Sequence, residues 1–442
     1  LIAADHIHDQ PLISILRIGL LLWVGAHELG HLIPAKIFGT KVSEYFIGFG
    51  PKLWSTKRGE TEYGVKALPV GGYVRIVGMI PPAEAVPAVK IGGWPGRTIR
   101  ETRESAMAEM QPEDHERAFY QLSWWRKAIV MASGTLVNLV LAVLIFTAVL
   151  TGVGTPQTTL TVAAVAECVP ALGAAECTAD DPASPASAAG IEAGDVIVEV
   201  DGQAVETWGD ATAIIADSAG EAVPLTLERG DETVTTTLTP AERETYVYAE
   251  DGTQQLGEDG EPLTQTVGYA GLLSEVRNVP QPITAGAELT WEYATASVQL
   301  IATLPSQLYH ATLAILGLEE RDATGAVSVV GVGRIAGDIA SIDADGYSLL
   351  ERSADMLMLL GGLNLALFVF NLIPLAPLDG GHVVTALWQG VKNGWARLRG
   401  LPRPGPVDIA RMMPFAYVMF GFLILMAGVL IIAGIVAPIT FA

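Results

Sequence analysis

The sequence predicts a polytopic α-helical membrane protein of four transmembrane helices. Cytoplasmic membrane-associated β-hairpins and an inserted extracytoplasmic α+β domain complete it. Three observations carry this class. Mean hydropathy is +0.39 over 442 residues, too apolar for a water-soluble chain of this size. Apolar runs at 11–33, 128–153, 354–376 and 414–436 each approach the ~20 residues that cross bilayer hydrocarbon. The net charge of −22 is also unevenly divided: 36–127 holds 14 of the 26 Lys and Arg and 392–411 holds 5, whereas 153–350 holds 5 against 31 acidic residues. Lys/Arg bias therefore places the first and third loops in the cytoplasm and the long second loop outside, with both termini facing outward. An acidic outer segment offers nucleic acid no basic surface.

Residues 1–38 form the first span and carry HELGH at 27–31. On a helix, His27 and His31 share a face and can reach one metal ion, while Glu28 stands beside the first ligand as a general base. Two histidines satisfied by packing are the bland alternative. Ionisable groups in a span are costly, which favours the functional reading. Pro34 is expected to bend or end the helix.

Residues 39–80 read as short strands broken by Gly-rich turns, a cytoplasmic sheet beside the site. Its edge at Tyr73, Val74, Arg75 and Ile76 suits pairing with an extended substrate, or serves as a packing lid. Residues 81–123, Pro-rich and then charged, read as a cytoplasmic linker. In the second span, 124–153, Asn138 needs a polar partner and is expected to face the bundle interior, a candidate for substrate contact.

The outer segment, 154–280, alternates as strands around turn signals at Gly194-Asp195 and Asp201-Gly202, with an acidic insert at 244–261. Its Cys168 and Cys177 are spaced for a disulfide that this compartment permits, with two free thiols as the alternative. Residues 281–352 have helical periodicity and aromatic residues suited to helices at the outer interface.

The third span, 353–382, ends in Asn371, Pro374, Pro377, Asp379 and His382. It runs outside to inside, as the first does, so Asp379 reaches the depth of His27 and His31. Two His, one carboxylate and an open position make the layout of a catalytic zinc site. Asn364 and Asn371, seven apart, share a face. A cytoplasmic loop, 383–412, and the fourth span with the C-terminus, 413–442, complete the chain.

At HELGH and NLIPLAPLDGGH the chain resembles the site-2 proteases, zinc intramembrane proteases of bacterial regulated proteolysis. The likeness extends to GFGPKLW, GGYVRIVG and GTLVN. SPASAAGIEAGD with DGQAV resembles a PDZ domain, so the inserted domain is expected to be PDZ-like. The resemblance implies one Zn2+ per chain on His27, His31 and Asp379, with Glu28 activating water. Asn371, and with it Asn364, would hold the substrate backbone or oxyanion. It further implies a bacterial cytoplasmic membrane location and a transmembrane protein substrate of the anti-sigma-factor kind, already trimmed. A peptide or protein C-terminus would bind at the PDZ domain. The rival is a catalytically inactive PDZ-bearing membrane scaffold.

Overall fold

The computed structural model describes residues 10–88, 90–169, 177–178, 181–247, 254–255, 257, 262–319, 327–341 and 347–437. It divides into two compact units: one of Leu1–Val153 with Pro282–Ala442, the other Gly154–Gln281. Among the described residues, four helical stretches are long and apolar enough to cross a membrane: Ser14–Ile37, Trp124–Gly152, Leu349–Leu372 and Ile409–Val436.

The first unit opens with α1 (Gln10–Ile37), which continues one turn beyond Pro34 before it ends. Proline cannot donate to the carbonyl four residues earlier, so α1 gives up one bond at Gly30 and ends a turn later. β1 (Val42–Arg58) and β2 (Thr61–Ile76) then fold back on each other, and bulges divide both into shorter runs. Residues 54–58 pair across the turn with 61–65, while 44–47 pair with 72–75 on one side and with 62–65 on the other. Residues 72–75 therefore form a sheet edge. The sheet is tied to α1 by Tyr45, whose hydroxyl donates to the Gly25 carbonyl at 2.7 Å. Leu32, Ala35, Val42, Ile76, Phe119 and Val130 share one buried cluster beneath it.

The stretch expected as a linker contains α2 (Gly93–Ala108). Its charges are not simply solvated: Arg103 is buried and donates to Asp408 at 2.6 Å. Nearby, Lys41 donates to the buried Asp114 at 2.7 Å. These partners are far apart in sequence, so composition alone reads as disorder. The long α3 (Trp124–Gly152) follows.

The second unit contains β3 (Thr155–Val165), α4 (Pro185–Ala188), β4 (Val196–Val200), β5 (Gln203–Ala204) and α5 (Trp208–Asp217). After these come β6 (Val223–Arg229), β7 (Glu232–Leu238), β8 (Ala241–Tyr246), β9 (Thr264–Tyr269) and β10 (Leu272–Val279). The main sheet runs β10-β3-β4-β6-β7, with β5 on β4, and β8 and β9 form a separate hairpin. Its core is the inward face of alternating strands: Ile197, Val200, Leu225, Leu227 and Leu238, under Ala211 and Ile215 of α5. Full burial of each such aliphatic side chain contributes about 1.5–3 kcal/mol. Thr207 and Asp210 cap the start of α5 reciprocally. Cys168 and Cys177 are joined in a disulfide. Most of the acidic insert lies outside the described residues.

The chain returns to the first unit with α6 (Ala285–Ile315), α7 (Val329–Ser341), α8 (Leu349–Leu372), α9 (Asp379–Leu398) and α10 (Met413–Val436). The stretch expected as interfacial helices, 281–352, holds the 31-residue α6, with Pro305 inside it, and α7. Ala311 of α6 packs with Leu430 and Ala433 of α10. The expected third loop is half helix, because α9 starts at Asp379 and runs 20 residues.

Candidate metal centre

Two helices and one turn assemble the site. His27 and His31 project from the same face of α1, and their rings meet edge to face with centroids 4.9 Å apart. Asp379 is the first residue of α9, after a turn that folds residues 373–378 back on the helix start. That turn needs its glycines, since a Cβ on Gly380 would come within 2.3 Å of the Ile373 carbonyl oxygen and one on Gly381 within 2.7 Å of the Ala376 amide. Asp379 Oδ2 lies 3.2 Å from His31 Nε2 and 3.6 Å from His27 Nε2. These three form the one group among the described residues whose ligand atoms all lie within 4.8 Å of one another.

The protonation pattern follows from the neighbours. His31 Nδ1 lies 2.8 Å from the Val130 carbonyl oxygen, which can only accept. The proton therefore sits on Nδ1, and Nε2 turns a lone pair toward Asp379. The Asp379 Oδ2 atom is buried and accepts no hydrogen bond from the described residues. Lone pairs facing each other at 3.2 Å need a cation, a proton or a metal ion, between them. Tetrahedral zinc with ligands at ~2.0–2.1 Å sets neighbouring ligand atoms about 3.3–3.4 Å apart, a spacing these distances bracket. The donor set fits a divalent metal with an open position.

Close helix packing leaves room for this arrangement. A Cβ on Gly30 would lie 2.8 Å from Gly134 Cα, and one on Gly134 would lie 2.1 Å from His31 Nε2. The α1–α3 crossing is therefore a glycine-on-glycine contact, and Gly134 opens the space His31 occupies. Sequence reasoning missed this role. The available signal was a small residue in each apolar helix, which marks close approach without naming the partner.

Glu28, half-buried, faces the sheet: a Cβ on Gly72 would come within 3.0 Å of Glu28 Cγ. The edge segment carrying Tyr73, Val74, Arg75 and Ile76 thus begins beside Glu28. Tyr73 donates to Glu44 at 2.6 Å and accepts from Lys66 at 2.8 Å, which holds the strand in place. A polar cavity of about 600 Å3 borders Tyr73, Val74, Arg75 and Ile76.

The asparagines separate. Asn371, half-buried in the last turn of α8, makes no side-chain hydrogen bond within the described chain. Asn364 is 1% exposed; its Nδ2 donates to the Leu360 carbonyl at 3.0 Å and its Oδ1 is unpartnered. It borders an apolar groove of about 750 Å3 that also touches Trp23 and Ala26. Asn138 corrects the expectation of substrate contact. It is 0% exposed, and its Oδ1 accepts the Trp23 indole N–H at 2.9 Å, so it joins α1 to α3 and offers substrate no surface. His382 is not among the three convergent groups, and its Nδ1 is buried without a partner among the described residues.

A triad able to hold a metal ion, beside a glutamate and between apolar helices, fits a membrane-embedded metallohydrolase. The model for peptidase family M50 matches residues 15–400. The chain belongs to that family and is a bacterial membrane peptidase of the site-2 protease type. It is 30% identical to zinc metalloprotease Rip1 of Mycobacterium tuberculosis (strain ATCC 25618 / H37Rv), over 97% of this chain and 98% of that one. Zinc metalloprotease RasP of Oceanobacillus iheyensis is 26% identical, covering 86% of this chain and 90% of its own. Metalloprotease MmpA of Caulobacter vibrioides is 26% identical, covering 86% of each.

Proposed function

We propose that this chain is a zinc-dependent intramembrane endopeptidase that cuts in or near the transmembrane helix of single-span, previously trimmed membrane proteins. Anti-sigma-factor-like proteins are the substrate class. The convergence of His27, His31 and Asp379, from opposite ends of the chain, carries this reading. His27, His31 and Asp379 would hold one zinc ion. When bound, zinc supplies a Lewis acid that activates water and polarises the scissile carbonyl.

The chain's own groups do the rest. Glu28, adjacent to His27, takes the proton from the attacking water and passes it to the leaving amine. Asn371, whose carboxamide is free to donate, steadies the substrate carbonyl or the oxyanion that develops from it. Asn364 borders the apolar groove and contributes its unpaired oxygen to an unwound substrate backbone. A peptide bond within a helix is shielded by its own hydrogen bonds, so the segment must unwind before attack. The edge at 73–76, starting beside Glu28, holds the unwound stretch as an added strand. The active site lies toward the cytoplasmic side. The inserted unit lies outside, where a PDZ-like surface takes a peptide or protein C-terminus.

Glu28→Gln in the full chain, reconstituted with a single-span substrate, tests the reading. The expected outcome is retained zinc with cleavage reduced by ~10²-fold or more, as loss of a general base entails. Cleavage by that variant at the wild-type rate would remove Glu28 from the mechanism.

A further inference from the structure

Away from the metal centre, α9 presents an apolar face and a group of cations that the peptidase chemistry does not use. Val384, Leu387, Trp388, Val391, Trp395 and Leu398 recur at helical spacing, and every one is exposed, from 45% at Val384 to 85% at Leu398. Beside this stripe, α9 backs onto the start of α3, where a Cβ on Gly390 would lie 2.7 Å from the Trp124 indole. That end of α3 also exposes Trp125, an arrangement typical of a membrane–water interface.

Lys127, one turn into α3, is only 8% exposed. Lys392 lies two residues past Gly390 on α9, and Arg403 two residues before Gly405, so two further cations approach it from α9 and the segment that follows. None of the three side chains has a hydrogen bond or ion pair among the described residues. Arg403 is kept nearby because Gln389 of α9 donates to the Gly405 carbonyl at 3.2 Å. Three cations, one of them buried, without an acidic partner would repel one another unless an anion joins them.

We infer that Lys127, Lys392 and Arg403 bind the phosphate of an anionic phospholipid, whose acyl chains lie along the α9 stripe. The charge selects the headgroup and the adjoining apolar face selects a lipid over a soluble anion. Basic pockets between helices at the membrane surface are suited to such headgroups.

Native mass spectrometry of the full chain in neutral detergent tests this, with dioleoyl phosphatidylglycerol and dioleoyl phosphatidylcholine supplied in equal amounts. Wild type is expected to retain phosphatidylglycerol over phosphatidylcholine by roughly tenfold or more. The Lys392→Gln/Arg403→Gln pair should lose most of that preference. Arg97→Gln/Arg100→Gln, removing the same charge from α2, should keep it. No preference in wild type, or an equal loss in the second pair, overturns the assignment. Displacement of the lipid by millimolar inorganic phosphate would mark a free-anion site and overturn it as well. The wild-type comparison needs no variant to fold.

Discussion

At the scale of single residues, the site depends as much on absent atoms as on the ligands. The HELGH pair was legible because helical spacing alone puts His27 and His31 on one face. Asp379 was legible because span parity brought it to the same depth. Gly134 was not, because a glycine in an apolar helix does not reveal what it makes room for. Here the occupant is His31 Nε2, 2.1 Å from where a Cβ would stand. Gly134→Ala should therefore push His31 off its position and weaken zinc binding by roughly 10–100-fold, the range seen when groups supporting a ligand are altered. Zinc retained against a graded chelator series measures this; unchanged retention would show that the crossing relaxes without disturbing the ligand. Asn138 was misread for a related reason: a carboxamide in a span needs a partner, and the sequence does not disclose that Trp23 supplies it.

At the scale of elements, strands flanked by turn signals were legible, and helices rich in charge were not. Val196–Val200 stands between Gly194-Asp195 and Asp201-Gly202, and the structure has β4 at those residues. α2 was read as part of a linker because its charges look solvated, whereas Arg103 finds Asp408 only after folding. The second unit has its own buried charge. Asp195 accepts from Arg229 Nε at 2.7 Å and Nη2 at 2.8 Å, and from the Glu192 amide at 2.9 Å. The Arg229 guanidinium holds the Asp195 carboxyl below the ordinary carboxylate range, against burial that pushes it up, and the Glu192 amide adds to the lowering. A depressed folded value means stability that is complete above the unfolded value of ~3.9 and lost as pH falls through the folded one. Asp195→Asn should accordingly destabilise the second unit by about 1–3 kcal/mol at neutral pH. The difference from wild type should shrink in strong acid. Hydrogen exchange of β4 and β6 amides in the full chain reads both, and a difference independent of pH would mean that the ion pair is not its source.

At the scale of the whole molecule, charge distribution and hydropathy established the number of spans and the segment inserted between them. Both were visible because they are sums over many residues. The sheet of β1 and β2 was visible as hairpins but not as the doubly paired 44–47 segment, since pairing of 44–47 with both 62–65 and 72–75 depends on bulges that no local pattern announces. The account rests on one claim, that residues from opposite ends of the chain share a metal ion. Zinc per chain, measured by mass spectrometry of the elements on full-length protein, tests it most directly. The account predicts about one zinc in wild type and in Glu28→Gln, and a small fraction of one in Asp379→Ala, whose site keeps two ligands of three. A full complement of zinc in Asp379→Ala would contradict it.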